Sequence, residues 1–175
     1  MNLTGKRVAV LAENMYQELE VWVPLMRLRE AGAEVIVVGT GSAPTYTSKF
    51  GYPIQVDCAA GDVDPATLDG VVVPGGYAPD LLRRYPAVLS LVRSLFDQGK
   101  VVAAICHAGW VLASAEVLRG RRATCVAAIK DDIIHAGAIY VDAEVVRDGN
   151  LITSRMPSDL PAFCRTLVEA LSGAG

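Results

Sequence analysis

Residues 101–110 read Val101-Val102-Ala103-Ala104-Ile105-Cys106-His107-Ala108-Gly109-Trp110, and in this stretch an apolar run ends abruptly at a cysteine. The run from 101 to 105 is short, continuous and apolar, which is typical of a strand buried on both faces of a parallel sheet. Residues 111–118 then have the pattern of a helix. A thiol at such a junction lies beside the partial positive charge of a helix N-terminus, which favours the thiolate form. The stretch therefore predicts that Cys106 is reactive.

This layout parallels a nucleophile elbow, a sharp strand-to-helix turn that holds the nucleophile in a strained backbone conformation. Such a turn needs small residues two positions to either side of the nucleophile, and Ala104 and Ala108 meet that requirement. The alternative is an unreactive core cysteine, because free cysteine is among the most buried residue types. The strand end, the small flanking residues and the adjacent His107 favour the reactive interpretation.

Length and composition bound the class of protein. The chain has 175 residues, of which 52% are hydrophobic and 20% charged, so we predict one globular domain over residues 1–175. No apolar run approaches the roughly 20 residues that span a membrane, so no membrane association is expected. The N-terminal residues also lack the apolar segment and cleavage site of a signal peptide, and we therefore expect a cytoplasmic protein.

Charge and residue spacing give expectations about partners and cofactors. A net charge of -3 argues against nucleic acid or an anionic membrane as a partner. The one basic cluster, Arg119 with Arg121 and Arg122, is interpreted as a solvated helix cap. The four widely spaced cysteines and two histidines match no zinc site or disulfide framework, and Gly75-Gly76 is not a nucleotide-binding fingerprint. We expect no metal and no cofactor.

Outside the central stretch, strand and helix patterns alternate along the chain. Buried strands are predicted at residues 7–11, 35–38, 69–73 and 123–127, with a strand pair at 140–146 and 151–153 and a loop or small hairpin within 41–56; helices are predicted at 18–31, 86–98, 129–136 and from 158 or 159 onward. Cys164 falls on the core face of the last helix and is predicted to be a packing residue.

This alternation predicts a single-domain α/β sandwich with a mostly parallel central sheet and helices on both faces. In such sheets, ligands collect at the carboxyl ends of the strands. Three of those ends carry residues that can take part in chemistry: the stretch after Leu11, the Gly75-Gly76 turn and Cys106. Their convergence predicts a functional site at that edge of the sheet.

Several short blocks, spread in order over almost the whole chain, carry a family pattern. They are Val73-Pro74-Gly75-Gly76, Ala104-Ile105-Cys106-His107, Leu118-Arg119-Gly120-Arg121, Ile129-Lys130-Asp131-Asp132, Ala136-Gly137-Ala138, and Ile152-Thr153-Ser154-Arg155 with Asp159-Leu160. In these blocks the sequence resembles the ThiJ/PfpI superfamily, and most closely its intracellular protease PfpI branch. The resemblance implies a flavodoxin-like fold, of the kind also found in class I glutamine amidotransferases.

The resemblance also implies a catalytic site with Cys106 as the nucleophile. Glu20, four residues before Pro24, matches a glutamate that hydrogen-bonds the thiol, and Gly76 with the backbone N–H of His107 matches an oxyanion hole. In the PfpI branch, this histidine is paired with a carboxylate from a neighbouring subunit, and Asp80 matches that position. The resemblance thus implies a homodimer or higher homo-oligomer.

Each of these assignments has a physical check. A buried Glu20 beside the thiol would be pushed towards its protonated form and could donate a hydrogen bond to sulfur, whereas a solvated Glu20 would only stabilise the helix start. Adjacent residues on a helix do not face each other, so without a partner carboxylate His107 is expected to contribute only its backbone N–H. Asp80 could alternatively cap the helix that follows it.

Some positions depart from the family pattern. Where the family usually has Cys-His-Gly-Pro, this chain has Cys106-His107-Ala108-Gly109 followed by Trp110, and Gln17 replaces a second acid. Gly75, Ala108 and Trp110 are predicted to line the pocket, whose shape and charge these departures would alter.

Three functions could use the same thiol. The first is a cysteine-dependent hydrolase resembling PfpI, a stress-related peptidase acting through a thioester-like intermediate. The second is a glutathione-independent glyoxalase or protein deglycase, in which the thiolate attacks methylglyoxal or its adducts and Glu20 moves a proton between carbons. The third is a redox-sensing stress chaperone without turnover, in which Cys106 is oxidised. The sequence places the hydrolase first and leaves the other two open.

Overall fold

The computed structural model describes residues 2–173. In chain order, the strands of these residues are β1 (Arg7–Leu11), β2 (Glu34–Gly39), β3 (Thr45–Thr47), β4 (Pro53–Gln55), β5 (Cys58–Ala59), β6 (Gly70–Val73), β7 (Val101–Ile105), β8 (Arg122–Ala123), β9 (Ile139–Tyr140), β10 (Val145–Asp148) and β11 (Leu151–Ser154). The α-helices are α1 (Glu18–Glu30), α2 (Ala78–Leu82), α3 (Pro86–Asp97), α4 (Gly109–Ser114), α5 (Lys130–His135) and α6 (Leu160–Leu171).

A seven-stranded sheet of order β10-β11-β7-β6-β1-β2-β5 forms the centre of the protein. All neighbouring strands are parallel except β10, which is antiparallel to β11. Strands β6 and β7 are buried along their whole length, as expected for strands covered on both faces. The predicted single-domain α/β sandwich with a mostly parallel, flavodoxin-like sheet is therefore confirmed.

The strand order also explains why helices cover both faces. The chain moves one way along the sheet from β1 to β2 and the opposite way from β6 to β7. Because parallel crossovers are right-handed almost without exception, α1 and α3 must lie on opposite faces. Helix α6 packs against α1, and α4 packs against α3, which completes the two layers.

The carboxyl ends of β1, β6 and β7 lie side by side, as the sequence predicted. The chain that follows β1 is joined to the turn after β6, since Gln17 N–H donates to Gly75 O at 3.2 Å and Tyr77 N–H donates to Met15 O at 2.9 Å. Gly76 has a φ of +75°, and a Cβ there would lie 2.6 Å from Gln17 N, so only glycine fits this turn. The turn therefore fixes the start of α1 against the end of β6.

Two predicted elements have different bounds in the structure. The prediction of a helix at 111–118 is wrong at both ends, because the chain first makes a 3₁₀ turn over Cys106–Ala108 and then ends α4 before Glu116, whose φ is +58°. Asp159 precedes α6 as predicted but does not cap it with its side chain. Its carboxylate is held instead by Arg155, with Nε to Oδ2 at 2.9 Å.

The C-terminal strands are also shorter than predicted. The predicted strands at 123–127 and 140–146 are wrong in extent, because β8 and β9 form a two-stranded parallel sheet of their own and only β10 joins β11. The backbone after β9 turns away once Val141 N–H has donated to Ala123 O at 2.9 Å. The small hairpin outside the main sheet is confirmed as β3 and β4. None of the helices within residues 2–173 has the length and apolar character needed to cross a membrane.

Candidate active site

Cys106 lies at the first residue after β7 with a φ of +63°, a left-handed conformation that non-glycine residues rarely adopt. The small residues on either side are packed tightly, with Ala104 2% and Ala108 0% exposed. The predicted elbow geometry is therefore present. Gly109 allows the following helix to pack closely, because a Cβ there would lie 2.9 Å from Ile133 Cγ2.

Glu20 lies in the first turns of α1 and is fully buried beside Cys106. Its backbone N–H donates to the side chain of Gln17 at 3.0 Å, and its Oε2 accepts a hydrogen bond from Gly75 N–H at 2.7 Å. Burial raises the pKa of Glu20 to about 7, because the hydrogen bonds from Gly75 and Cys106 only partly offset the loss of solvent. The check posed by the sequence thus favours the buried, partly protonated acid.

Gly75 brings the acid and the thiol together. A Cβ at this position would collide with Glu20 Oε2 and would lie 2.7 Å from Cys106 Cβ. No side chain fits this space, so glycine is needed to let the backbone N–H reach the carboxylate. Gly75 is itself buried.

The groups around Cys106 shift the pKa of its thiol in opposite directions. Hydrogen bonds from the backbone N–H groups of His107 and Gly76 lower its pKa, whereas burial and the Glu20 carboxylate raise it, to about 12. The prediction that the helix N-terminus leaves a thiolate is therefore wrong, because burial outweighs the N–H donors. A thiol in this state needs a base to remove its proton as it attacks.

His107 supplies a candidate base. Its Nδ1 lies 3.3 Å from Cys106 Sγ, so the prediction that the two side chains would not meet is wrong. The left-handed φ of Cys106 and the 3₁₀ turn that follows it change the directions that a regular helix would impose. Burial and the positive charge of Lys49 lower the pKa of His107, so the ring is neutral at pH 7 and can accept a proton.

Aromatic rings border His107. The Tyr77 ring stacks on the imidazole with centroids 6.4 Å apart and planes at 23°, and the Trp110 ring lies 5.2 Å away at 58°. Trp110 Nε1 donates to Asp132 Oδ2 at 2.7 Å, and the Arg83 guanidinium lies 5.9 Å from the Trp110 ring. Sequence reasoning missed Tyr77, although its place directly after Gly75-Gly76 was an available signal.

The remaining predicted site residues are Asp80 and the three pocket residues Gly75, Ala108 and Trp110. The carboxylate of Asp80, on α2, is bound within the same chain by Arg84 rather than by His107. Its proposed role towards a neighbouring subunit stays a prediction. Ala108 and Gly75 are buried and Trp110 is partly exposed, so the place of these three residues in the pocket lining stays a prediction. Within residues 2–173, no group of three or more His, Cys, Asp or Glu side chains is arranged to hold a metal ion.

A groove of about 710 Å³ lies elsewhere, on the outer face of α1. Its lining includes Leu19, Trp22, Phe50 and Tyr52 but not Cys106. The groove is apolar and carries no nucleophile or base apart from Glu18, which is bound to Ser48 and Phe50 N–H. The groove therefore lacks the cluster of thiol, imidazole and carboxyl groups that meets at Cys106.

Comparison with known proteins identifies the family. A family model described as the DJ-1/PfpI family matches residues 6–170. The chain belongs to the DJ-1/PfpI family. It is 44% identical to a deglycase of Pyrococcus abyssi, with 94% of this chain and 99% of the relative aligned. It is 39% identical to deglycase PfpI of Pyrococcus furiosus, again over 94% of this chain and 99% of the relative.

The fold of this DJ-1/PfpI protein matches solved structures of the family. Drosophila melanogaster DJ-1beta superimposes with a TM-score of 0.90 at 32% identity, covering 99% of this chain and 92% of that chain. The family match and the relatives named deglycase identify the chain as an enzyme of the cysteine hydrolase or deglycase kind. The predicted resemblance to the ThiJ/PfpI superfamily is confirmed.

Proposed function

We propose that this DJ-1/PfpI protein is a glutathione-independent glyoxalase and deglycase that acts on methylglyoxal and its adducts through Cys106. The observation that carries the proposal is the meeting of three groups: the Cys106 thiol, a neutral imidazole 3.3 Å from it, and a Glu20 carboxyl with a pKa of about 7. Relatives named deglycase support this function over the peptidase that the sequence placed first.

In the first step, Cys106 adds to the aldehyde carbon of methylglyoxal. His107 Nδ1 accepts the thiol proton while the S–C bond forms, and the electrons of the C=O bond move to the aldehyde oxygen. The backbone N–H groups of Gly76 and His107, which already point at the sulfur, are placed to stabilise that oxygen as its charge develops. The oxygen then takes the proton from His107, which yields a neutral hemithioacetal.

In the second step, Glu20 moves a proton between two carbons. As a carboxylate it takes the hydrogen of the former aldehyde carbon as a proton, and as a carboxylic acid it returns that proton to the neighbouring ketone carbon. The hydroxyl proton on the first carbon passes to the ketone oxygen, so the first carbon becomes the thioester carbonyl and the second carries the hydroxyl of the lactoyl group. The first carbon is oxidised and the second is reduced, so a lactoyl thioester forms without an external oxidant. A pKa of about 7 suits a group that must take up and release a proton at neutral pH.

Water then completes the turnover. Hydrolysis of the thioester releases lactate and returns the proton to Cys106. An adduct of methylglyoxal with an amino or thiol group enters the same sequence when Cys106 replaces that group at the carbon, and the amine or thiol leaves with a proton. One site therefore accounts for both the glyoxalase and the deglycase reactions.

Lactate formation from methylglyoxal tests the proposal directly. We expect the wild-type protein to form lactate and Cys106→Ser to lose more than about 10³-fold in kcat/KM. Cys164→Ala is the matched control, because Cys164 is 5% exposed in the core face of α6. It should keep its activity per folded molecule and lose about 1 kcal/mol of unfolding free energy.

A fluorogenic peptide assay on the same preparations separates the alternatives. Cleavage that depends on Cys106, without lactate, would replace the deglycase by the peptidase. If neither assay gives product and peroxide oxidises Cys106 selectively, the deglycase function is wrong and the redox-sensor function takes its place. Equal lactate from wild type and Cys106→Ser would show that the proposed nucleophile is wrong.

A further inference from the structure

We propose that the site prefers 2-oxoaldehydes whose substituent is a flat aromatic ring, and that Tyr77 determines this preference. The inference rests on the proposed function and goes beyond it by naming the substituent that the site selects. The observation behind it is the row of rings formed by Tyr77, His107 and Trp110 beside the nucleophile. We call these three side chains the aromatic row.

The aromatic row lies beside the nucleophile through its middle member. His107 is its middle member, and His107 Nδ1 is 3.3 Å from Cys106 Sγ. A carbon bonded to this sulfur therefore lies within a few ångströms of the imidazole, and its substituent has to project from the thiol past neighbouring side chains. Glu20 and Gly75 lie on the buried side of Cys106, and the proposal takes the side next to His107 and its two neighbouring rings as the one that the substituent follows.

The two outer rings differ in how they are held. Trp110 is fixed by the hydrogen bond from its Nε1 to Asp132, and Arg83 beside it is fixed by a hydrogen bond from its Nε to Ser114 Oγ at 2.9 Å. Tyr77 is 63% exposed, and its backbone N–H is tied to Met15 O. Its ring is therefore attached to a rigid turn while much of its surface remains open to contact a ligand.

The surface of Tyr77 favours aromatic over methyl substituents. Offset or edge-to-face contact between rings stabilises a complex beyond simple area burial, and such a contact corresponds to about 2- to 10-fold in binding. A methyl group is too small to make this contact. The substituent of methylglyoxal would therefore leave most of the Tyr77 ring unused, whereas the phenyl ring of phenylglyoxal would cover it.

The test compares initial rates with two substrates, measured as lactate from methylglyoxal and mandelate from phenylglyoxal. Tyr77→Leu should lower the kcat/KM ratio of phenylglyoxal to methylglyoxal by about 2- to 10-fold. Tyr77→Phe keeps the ring and should keep the ratio. Tyr52→Leu is the matched control, since Tyr52 is 57% exposed but lines the groove on α1, and it should also keep the wild-type ratio.

The outcomes separate this inference from the proposed function. If wild type and Tyr77→Leu convert both aldehydes with the same ratio, the specificity assignment is wrong while the glyoxalase stands. An equal fall of the ratio in Tyr52→Leu would likewise overturn it, because the effect would not be local to the aromatic row. If the wild type forms neither product, the proposed function falls and this inference falls with it.

Discussion

Cys106 at the elbow is a partly buried thiol and Cys164 in α6 a buried one, and the groups around them differ. Burial raises the pKa of both, to about 12 for Cys106 and about 11 for Cys164. Cys106 has a carboxyl, an imidazole and two backbone N–H groups within reach, whereas Cys164 packs in the core and the charge of Arg27 alone lowers its pKa. The resting pKa values of the two thiols are similar, so under the proposed function the polar groups around Cys106 are what separate it from the packing residue Cys164.

Replacing Glu20 should have the largest effect, because it makes the surroundings of Cys106 more like those of Cys164. We expect Glu20→Gln to lower kcat/KM for methylglyoxal by about 10³-fold, since an amide cannot move a proton between carbons. The same change should lower the pKa of Cys106, because the Glu20 carboxylate raises it. Turnover and thiol reactivity should thus change in opposite directions.

The measurement pairs lactate formation with the pH dependence of iodoacetamide alkylation of Cys106, followed on the Cys106 peptide by mass spectrometry because Cys58 is also partly exposed. If Glu20→Gln leaves lactate formation intact, Glu20 is not the proton carrier. If the alkylation profile moves to higher pH, the electrostatic account of Cys106 is wrong.

The stability of the fold should also depend on Glu20. Its pKa rises from 4.5 to about 7 on folding, so the folded state binds the proton more tightly than the unfolded state. Its contribution is therefore fully present below pH 4.5 and is lost as the pH rises to about 7, on the order of 3 kcal/mol in total. Urea unfolding of wild type and Glu20→Gln should show this extra slope in the wild type alone, and parallel curves would contradict it.

Replacing His107 should have an intermediate effect on turnover. His107→Phe keeps the backbone N–H and removes the base, so we expect about 10²-fold lower kcat/KM at pH 7. The residual rate should rise with pH up to the highest pH at which the protein is stable, because the pKa of Cys106 is about 12. His135→Phe, an exposed change on α5, is the control. A pH profile unchanged from wild type would show that His107 does not remove the proton of the Cys106 thiol.

Asp80 should show the smallest effect, and it tests whether the surroundings of Cys106 extend into a second subunit. If a neighbour's Asp80 orients His107, Asp80→Asn should lower kcat/KM by about fivefold, the equivalent of one ordinary hydrogen bond. Asp97→Asn is a matched control, because both carboxylates pair with an arginine four residues away and are about half exposed. Equal activities, or a monomer in sedimentation, would leave Asp80 as a surface ion pair worth less than about 1 kcal/mol.

The sequence predicted the elements that have strong local patterns. The continuous apolar runs gave β6 and β7, the spacing of apolar residues in α3 gave its buried face, and together they placed Cys106 at the carboxyl edge of the sheet. The short extent and the mutual pairing of β8 and β9 could not be predicted, because they depend on tertiary hydrogen bonds such as Ile139 N–H to Arg121 O. Short elements carry too little pattern of their own.

The sequence predicted which residues form the site, but not the protonation of Cys106 or the orientation of His107. Cys106, Glu20 and Gly76 could be placed from the resemblance and the topology. The contact between His107 and the sulfur depends on the left-handed φ of Cys106. No residue next to Cys106 in the sequence requires that backbone conformation. The pKa of Cys106 depends on how much burial outweighs two N–H donors, and that balance exists only in the packed molecule.

The lack of space at Gly75 constrains how this enzyme can evolve. Because a Cβ there would meet Glu20 and Cys106 at once, any amino-acid substitution at position 75 disturbs both groups together. Tyr77 is exposed and Trp110 partly exposed, so side chains at these two positions have room to change where Gly75 has none. Glu20, Gly75 and Cys106 therefore have to be kept together, whereas the exposed positions around them do not.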